Sequence, residues 1–396
     1  MASPEHVLFR DSVRAFVEAE IAPHVHAWDE AGTFPRELYG RAAAIGLLGI
    51  GYPEHLGGTP ADAWYRLIAT EEIARAGSGG LIASLFSHNI GLPPIVAHGS
   101  DALQRRIVPA VLAGEKIAAL AITEPGGGSD VARLRTRARR DGDHWVIDGE
   151  KTFITSGMRA DWITLAVRTG ADAARGEGHD ASRGDGHGAA RGAAGISLIA
   201  LPGDTPGLTR TPLAKMGWWC SDTATLHFDA CRVPADHLIG AENAGFAMIM
   251  RNFNAERLLM AAGAAAFAQV CFDEALAWAR ERRTFGVPLV EHQVTRHKLM
   301  DMRMRLASTR AWLHALVARQ EAGDTATEWI AELCLLKNHA TQTMQWCADA
   351  AVQILGGMGY MRGTKSERIY REVKVMMIGG GAEEIMKELA ARQLGV

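Results

Sequence analysis

Two stretches of this sequence carry residue types that could do chemistry. The first is an apolar helical stripe, Ile249, Phe253, Glu256, Met260, Gly263, Phe267 and Val270. Its steps alternate between four and three, the spacing that keeps side chains on one helix face. Glu256 is the only acid in it. A carboxylate in a buried stripe costs on the order of several kcal/mol unless it is paired or takes up a proton. The stripe alone allows two readings: an ion pair with Arg257 or a distant residue, or a base whose proton affinity is raised by dry surroundings. The second stretch is the turn Thr123-Glu-Pro-Gly-Gly-Gly-Ser-Asp130. Consecutive glycines let a backbone lie flat against a ligand, and free amides there can bind phosphate or a polarised ring edge. The turn lacks the Gly-Lys-Ser/Thr of a P-loop and does not open a helix after a strand as a dinucleotide fingerprint does. Gln353-Ile-Leu-Gly-Gly-Met-Gly-Tyr360 also fails as a dinucleotide motif, because a helix precedes it, and by itself reads as a helix C-cap. His179 and His187 stand without thiols or a rigid scaffold nearby, so no metal site is expected.

The elements that must position these residues fall in the order helices, strands, helices. At 396 residues the chain is long enough for two or three domains with a substantial core. A net charge of −3 makes no case for a nucleic-acid partner. The five cysteines are scattered, odd in number and without a C-x-x-C pair, which fits a reducing, cytoplasmic setting. No signal or transit peptide and no membrane span of roughly 20 apolar residues is expected. Residues 1–116 read as an N-terminal helical domain, with helices over 4–22, after Phe34, over 61–76, 81–98 and 101–114. Residues 117–233 read as a middle β domain. Strands are expected over 116–123, along the row Arg133, Arg135, Arg137 and Arg139, and over 144–147, 151–155, 162–167, 196–201 and 223–228. The arginine row has no interleaved aromatics and reads as a solvated strand face. Residues 171–194, almost wholly Ala, Gly, Arg, Asp and His, read as a flexible insert. Residues 234–396 read as a C-terminal helical bundle, opened by a long helix near 244–282 that holds Glu256.

Taken together, the motifs are far more specific than any one of them. The following stand in order along the chain: Gly51-Tyr-Pro-Glu-His-Leu-Gly-Gly58, Thr123–Asp130, Asp148-Gly-Glu-Lys-Thr-Phe-Ile-Thr-Ser-Gly157, Arg232-Val-Pro234, Glu281-Arg-Arg-Thr-Phe-Gly286, Glu291-His-Gln293 and Gln353-Ile-Leu-Gly-Gly-Met-Gly359. In them the chain resembles the acyl-CoA dehydrogenase flavoprotein family over nearly its whole length. The resemblance implies a mainly α fold with a middle β domain: an N-terminal helical domain, a β-barrel-like domain and a C-terminal four-helix bundle. It further implies FAD bound between the domains and across a subunit contact, in a homotetramer. Leu120, Ala121, Ile122, Thr123, Gly128 and Ser129 would line the flavin ring, and Phe153, Ile154 and Thr155 would cover its other side. Many relatives carry tryptophan where Phe153 stands. Arg282, Arg283, Thr284 and Phe285, with His292 and Gln293, would reach the pyrophosphate and adenosine part. Gln353, Ile354, Leu355, Gly356 and Gly357 would do so from a neighbouring subunit. Ala382 and Glu384 complete the expected cofactor contacts, Ala382 without the hydroxyl of the usual threonine. Ser129, Asn254, Arg257, Gly380 and Gly381 would contact acyl-CoA.

Many members of that family carry the catalytic glutamate in a C-terminal Glu-Gly-Thr motif. Here the matching positions are Gly380, Gly381 and Ala382, so no carboxylate is available there. A smaller set, of long-chain and isovaleryl type, places the glutamate on the long helix before an arginine, as Glu256-Arg257 does. Glu383 and Glu384 are rival acids, but the resemblance puts neither at the substrate α-carbon. The implied reaction is α,β-dehydrogenation of an acyl-CoA thioester to the trans-2-enoyl-CoA. Glu256 would take the α-proton and flavin N5 the β-hydride, with electrons passed to an electron-transferring flavoprotein. Two other readings stand beside it. One is an oxygen-using oxidase or monooxygenase of the same fold, marked by peroxide release without an added carrier. The other is a FAD-free homologue, marked by a colourless protein.

Overall fold

The computed structural model describes residues 3–170 and 193–396. Of the insert expected at 171–194, residues 171–192, with His179 and His187, lie outside the described residues. The N-terminal region is helical because amphipathic runs alternate with clear caps. Ser3 caps Pro4–Phe16, Asp62 caps Ala63–Ala74 and Ser100 caps Asp101–Leu112, each hydroxyl or carboxylate accepting from a first-turn amide. The single helix expected over 81–98 is instead three short ones, Gly79–Leu85, His88–Gly91 and Pro93–His98. Pro93 and Pro94 have no amide hydrogen with which to continue an earlier turn.

Among the described residues the middle region forms eight strands: β1 Ala118–Ala121, β2 Arg137–Asp141, β3 His144–Thr155, β4 Trp162–Arg168, β5 Ile196–Pro202, β6 Leu208–Pro212, β7 Thr223–Pro234 and β8 Leu238–Ile239. Their order is β6-β7-β3-β2-β4-β5-β8, and β1 pairs in parallel with β4. The expected arginine strand begins only at Arg137, since residues 131–133 form a 3-10 turn. The alternation nevertheless holds along the whole row: Arg133, Arg135, Arg137 and Arg139 are exposed, and Leu134, Thr136 and Ala138 are buried. The two strands expected on either side of Gly149 are one strand with register shifts at 147/149 and 151/154. Gly149 sits at φ +142°, and an added Cβ there would lie 2.7 Å from Thr136 Cα. Strand β6 has no apolar alternation to announce it; pairing with β7 makes it.

In the C-terminal region the helix Gly245–Glu281 packs with Gln293–Glu321, Thr327–Leu355 and Lys365–Ile378, and Glu383–Leu394 closes against Thr327–Leu355. The long helix is apolar enough over an 18-residue window to cross a membrane by composition, contrary to the expectation from the sequence. Its apolar residues are spent on the bundle core. Ala261, Ala264, Ala265, Ala268 and Ala275 are buried there with Leu306, Leu313, Leu336 and Met344. Small side chains let the backbones approach closely, so the helix axis is held without slack. The first turns of the same helix, through Met248 and Ile249, join a second core made of Leu92, Ile107, Ile122, Leu134, Trp162 and Leu198. The long helix thus spans both cores, and Glu256 lies between them.

Candidate active site

Glu256 is half-buried, not enclosed as its stripe suggests. Phe253 and Met260 share that state, whereas Ile249, Gly263, Phe267 and Val270 are buried. The middle of the stripe is therefore partly open, and its ends enter core. No ion pair holds the carboxylate among the described residues; the bridge to Arg257 considered above does not form. Burial pushes the Glu256 pKa up to about 7, against an opposing pull from the charges of Arg257 and Lys337.

Arg257 is 5% exposed and turned to support the site. Its Nε donates to the Gly380 carbonyl at 3.1 Å and its Nη1 to Asn254 Oδ1 at 3.0 Å. Its guanidinium lies over the Phe253 ring, 5.7 Å from the centroid. Asn254, Arg257, Gly380 and Gly381 are thus brought together beside Glu256. Met260 Sδ would lie 2.7 Å from a Cβ at Gly380, and Met386 Cε 2.3 Å from one at Gly381, where φ is +117°. Met386 is itself fully buried and has little room to yield. Gly381→Ala is expected to destabilise the protein by about 1–3 kcal/mol, seen as a lowered thermal midpoint against Gly40→Ala, where an added Cβ meets nothing within 4 Å.

The rival acids are placed differently. Glu383 accepts from Gln342 and Lys387, both at 2.7 Å, and the bond to Lys387 lowers its pKa. Glu384 is exposed and Ala382 half-buried at the start of the last helix. Glu256 alone of these carboxylates combines a raised pKa with a half-buried place on the apolar stripe.

The glycine turn is anchored by charge. Glu124 accepts from the amides of Arg135 (2.6 Å) and Thr136 (2.8 Å) and from Lys151 Nζ (2.8 Å). Lys151, with no exposed surface, also donates to the Ile122 carbonyl at 2.8 Å. Burial alone would raise the Glu124 pKa, but Lys151 and the Thr136 contacts outweigh it and hold the carboxylate below its usual range. Burial pushes Lys151 down to about 8 against the same partner. Above this pair the amides of Gly128 and Ser129 donate to no protein acceptor among the described residues, and a Cβ at Gly126 would meet nothing within 4 Å. Leu120 and Thr123 are half-buried and Gly128 and Ser129 exposed; Ala121 and Ile122 point their side chains into core, leaving only backbone to offer a ligand. On β3 the irregularity between Lys151 and Ile154 holds Phe153 at φ +61° and leaves it 69% exposed. Ile154 is buried and Thr155 half-buried. A bulky residue kept at positive φ with its ring in the open is a strained arrangement of the kind found at ligand sites. Free amides, open space beside the glycines and this ring suit a flat, hydrogen-bonding cofactor.

A second group lies far away along the bundle. Arg282, Arg283, Thr284 and Phe285 form a small hairpin with Val287 and Pro288; His292 Nε2 is 3.1 Å from Thr284 Oγ1, and Gln293 is exposed. Phe285 is 98% exposed at φ +51°. The helices Gly245–Glu281 and Thr327–Leu355 run the same way, with Glu256 near Lys337 and Cys271 near Cys347. Gln353, Gly356 and Gly357, exposed, and Ile354 and Leu355, buried, therefore share the end with Arg282. A rise of roughly 1.5 Å per residue puts that end on the order of 40 Å from Glu256. One chain does not bring the two groups together.

Lys337, Lys151 and Glu124 were not singled out in the sequence. A signal for Lys337 was present: it interrupts the apolar run Leu333, Leu336, Ala340, Met344 on its helix, the same anomaly that marks Glu256.

Comparison with known proteins agrees with this architecture. Domain families described as acyl-CoA dehydrogenase N-terminal, middle and C-terminal domains match residues 3–115, 119–231 and 243–395. The chain is 35% identical over 393 residues to the mitochondrial long-chain specific acyl-CoA dehydrogenase of Sus scrofa, spanning 99% of this chain and 87% of that one. A probable acyl-CoA dehydrogenase from Mycobacterium abscessus superposes with a TM-score of 0.92 at 47% identity, over 99% of both chains. A glutaryl-CoA dehydrogenase from Mycobacterium smegmatis, solved with FADH2, superposes with a TM-score of 0.87 at 25% identity, over 99% of this chain and 95% of that one. With all three domains matched in order and the fold shared end to end, this chain belongs to the acyl-CoA dehydrogenase family of oxidoreductases.

Proposed function

We propose that this protein binds FAD and converts an acyl-CoA thioester to its trans-2-enoyl-CoA, with Glu256 removing the α-proton. The observation that carries the reading is a carboxylate with no ion-pair partner among the described residues, half-buried on an apolar ridge, with a pKa near neutrality, in a chain whose alternative position for the base holds Gly380. FAD would supply the acceptor for the β-hydride. The chain's own share is to hold the Cα–H against the Glu256 carboxylate and keep water from the reacting atoms. Ser129, Asn254, Gly380 and Gly381 are the residues offered for the thioester. The amides at Gly128 and Ser129, Thr123 and Phe153 are those offered for the flavin ring. Arg282–Phe285, His292, Gln293 and Gln353–Gly357 lie too far from Glu256 to reach the same cofactor in one chain. That separation supports a cofactor shared between copies of the chain and hence a homotetramer. An electron-transferring flavoprotein is the acceptor in this reading, and the five free, buried cysteines support a reducing cytoplasmic setting.

Mixing the yellow holoprotein with a panel of acyl-CoAs under anaerobic stopped flow tests the reading and ranks chain length and branching together. Bleaching by at least one acyl-CoA is expected; a protein that stays oxidised with all of them would overturn it. The rate should also depend on pH. A base with a raised pKa is idle when protonated, so bleaching should rise about tenfold per pH unit below the Glu256 pKa and level off above about 7. A rate that falls across that interval would contradict Glu256 as the base.

A further inference from the structure

Two cations from different helices converge on the loop behind the base. Arg257, on the helix of Glu256, holds the Gly380 carbonyl at 3.1 Å. Lys337, on the neighbouring helix Thr327–Leu355, has no exposed surface and donates through Nζ to the carbonyls of Met377 (3.0 Å) and Gly381 (2.8 Å). Between them the last turn of Lys365–Ile378 and the glycine loop surrender three carbonyls to side-chain cations. Helix C-terminal carbonyls carry partial negative charge, which favours a cation there. An ammonium without a carboxylate partner is still a costly way to hold two carbonyls, because a neutral amide could donate to both. The charge needs a further reason, and the nearest acid supplies it: Glu256 lies within electrostatic reach of both Arg257 and Lys337 and pairs with neither. Glu383 and Cys334 are the other titratable groups facing Lys337. Glu383 is already engaged by Lys387, and Cys334 is buried and a poor anion.

We propose that Lys337 is a positioning residue for the base: its ammonium ties the end of the helix Lys365–Ile378 to the glycine loop and, with Arg257, supplies the positive field under which Glu256 remains ionised in dry surroundings. The proposal rests on the reading of Glu256 as the proton acceptor. It also explains how one glutamate can be desolvated, and so strongly basic, yet available near neutral pH. Burial raises its affinity for a proton; the two cations return part of that rise.

The test uses the holoenzyme of Lys337→Gln, which keeps amide donors for the loop but loses the charge, together with Lys337→Met and Lys337→Arg. Two properties are followed against pH: the rate of flavin bleaching by an acyl-CoA, and the infrared carboxylic-acid band of Glu256 without substrate, assigned by its absence in Glu256→Gln. In Lys337→Gln and Lys337→Met both midpoints should move up by about one pH unit. Bleaching would then be roughly five- to tenfold slow at pH 7 and near normal at pH 9. Lys337→Arg, which keeps the charge, should return the midpoint toward that of the parent. A rate lowered equally at every pH, with the infrared midpoint unmoved, would reduce Lys337 to a structural pin and overturn the proposal. Should Lys337→Met fail to fold, Lys337→Gln alone decides. If Glu256→Gln bleaches normally, the assignment of the base fails; the infrared midpoint still reports whether Lys337 sets the ionisation of Glu256.

Discussion

Glu256→Gln is expected to remain yellow, folded and able to bind an acyl-CoA, while flavin reduction by that acyl-CoA falls by about 10²–10⁴-fold. The amide matches the carboxylate in shape but cannot accept the α-proton. The loss should therefore appear in the reduction rate and not in ligand affinity. Neither rival acid is poised to take over: Glu383 is bound by Gln342 and Lys387 with a lowered pKa, and Glu384 stands exposed on the last helix. The same substitution should stabilise the fold near neutral pH. The folded-state pKa of Glu256 lies above its ordinary value of 4.5, so the ionised side chain costs stability. That cost is absent below the unfolded pKa, grows from about pH 4.5 upward and is complete above about 7. A Glu256→Gln thermal midpoint higher than that of the parent at pH 8, and equal to it near pH 4, would show both signs at once. A variant that bleaches at the parent rate would remove the assignment.

The second large effect is expected at Lys151, far from the base in sequence and buried in the middle β region. Lys151→Met should lower stability by about 3–5 kcal/mol, because it leaves Glu124 buried without its cation. It should also weaken retention of FAD. The ammonium ties Ile122 and Glu124 to β3, and Glu124 in turn orders the amides of Arg135 and Thr136 beneath the glycine turn. Without it the turn loses the anchor that points the amides of Gly128 and Ser129 outward. Chemical denaturation followed by tryptophan fluorescence and by flavin release checks both. The double variant Glu124→Gln/Lys151→Met should recover part of the stability, since removing both charges leaves no unpaired one. A Lys151→Met protein as stable as the parent and equally yellow would mean that the pair holds nothing.

Much of this was legible in the residues. A helical stripe with one acid singled out Glu256, and the family resemblance, with no carboxylate at Gly380–Ala382, pointed to the same residue. Three glycines in a row marked the turn at Gly126–Gly128, and the alternation from Arg133 to Arg139 held even where no strand forms. These are local properties: periodicity of 3.6 or 2 and backbone freedom are written into neighbouring residues and survive any packing. The strand β6, the division of 81–98 into three helices and the half-open state of Glu256 were not legible, because each depends on what packs against the segment.

The sequence by itself determined which acid stands on the ridge, where the backbone can lie flat against a ligand, and the order of helical and β regions. Only the tertiary structure decided that Glu256 has no ion-pair partner among the described residues, that Arg257 and Lys337 grip the loop behind it, and that Lys151 pins the glycine turn through Glu124. It also set Arg282 and Gln353 at the far end of the bundle. The reason is distance in the chain: Lys337 meets the carbonyls of Met377 and Gly381, and Arg257 that of Gly380, through folding alone. No spacing rule connects residues so far apart, and charge at those separations acts only once the fold has removed the water between them.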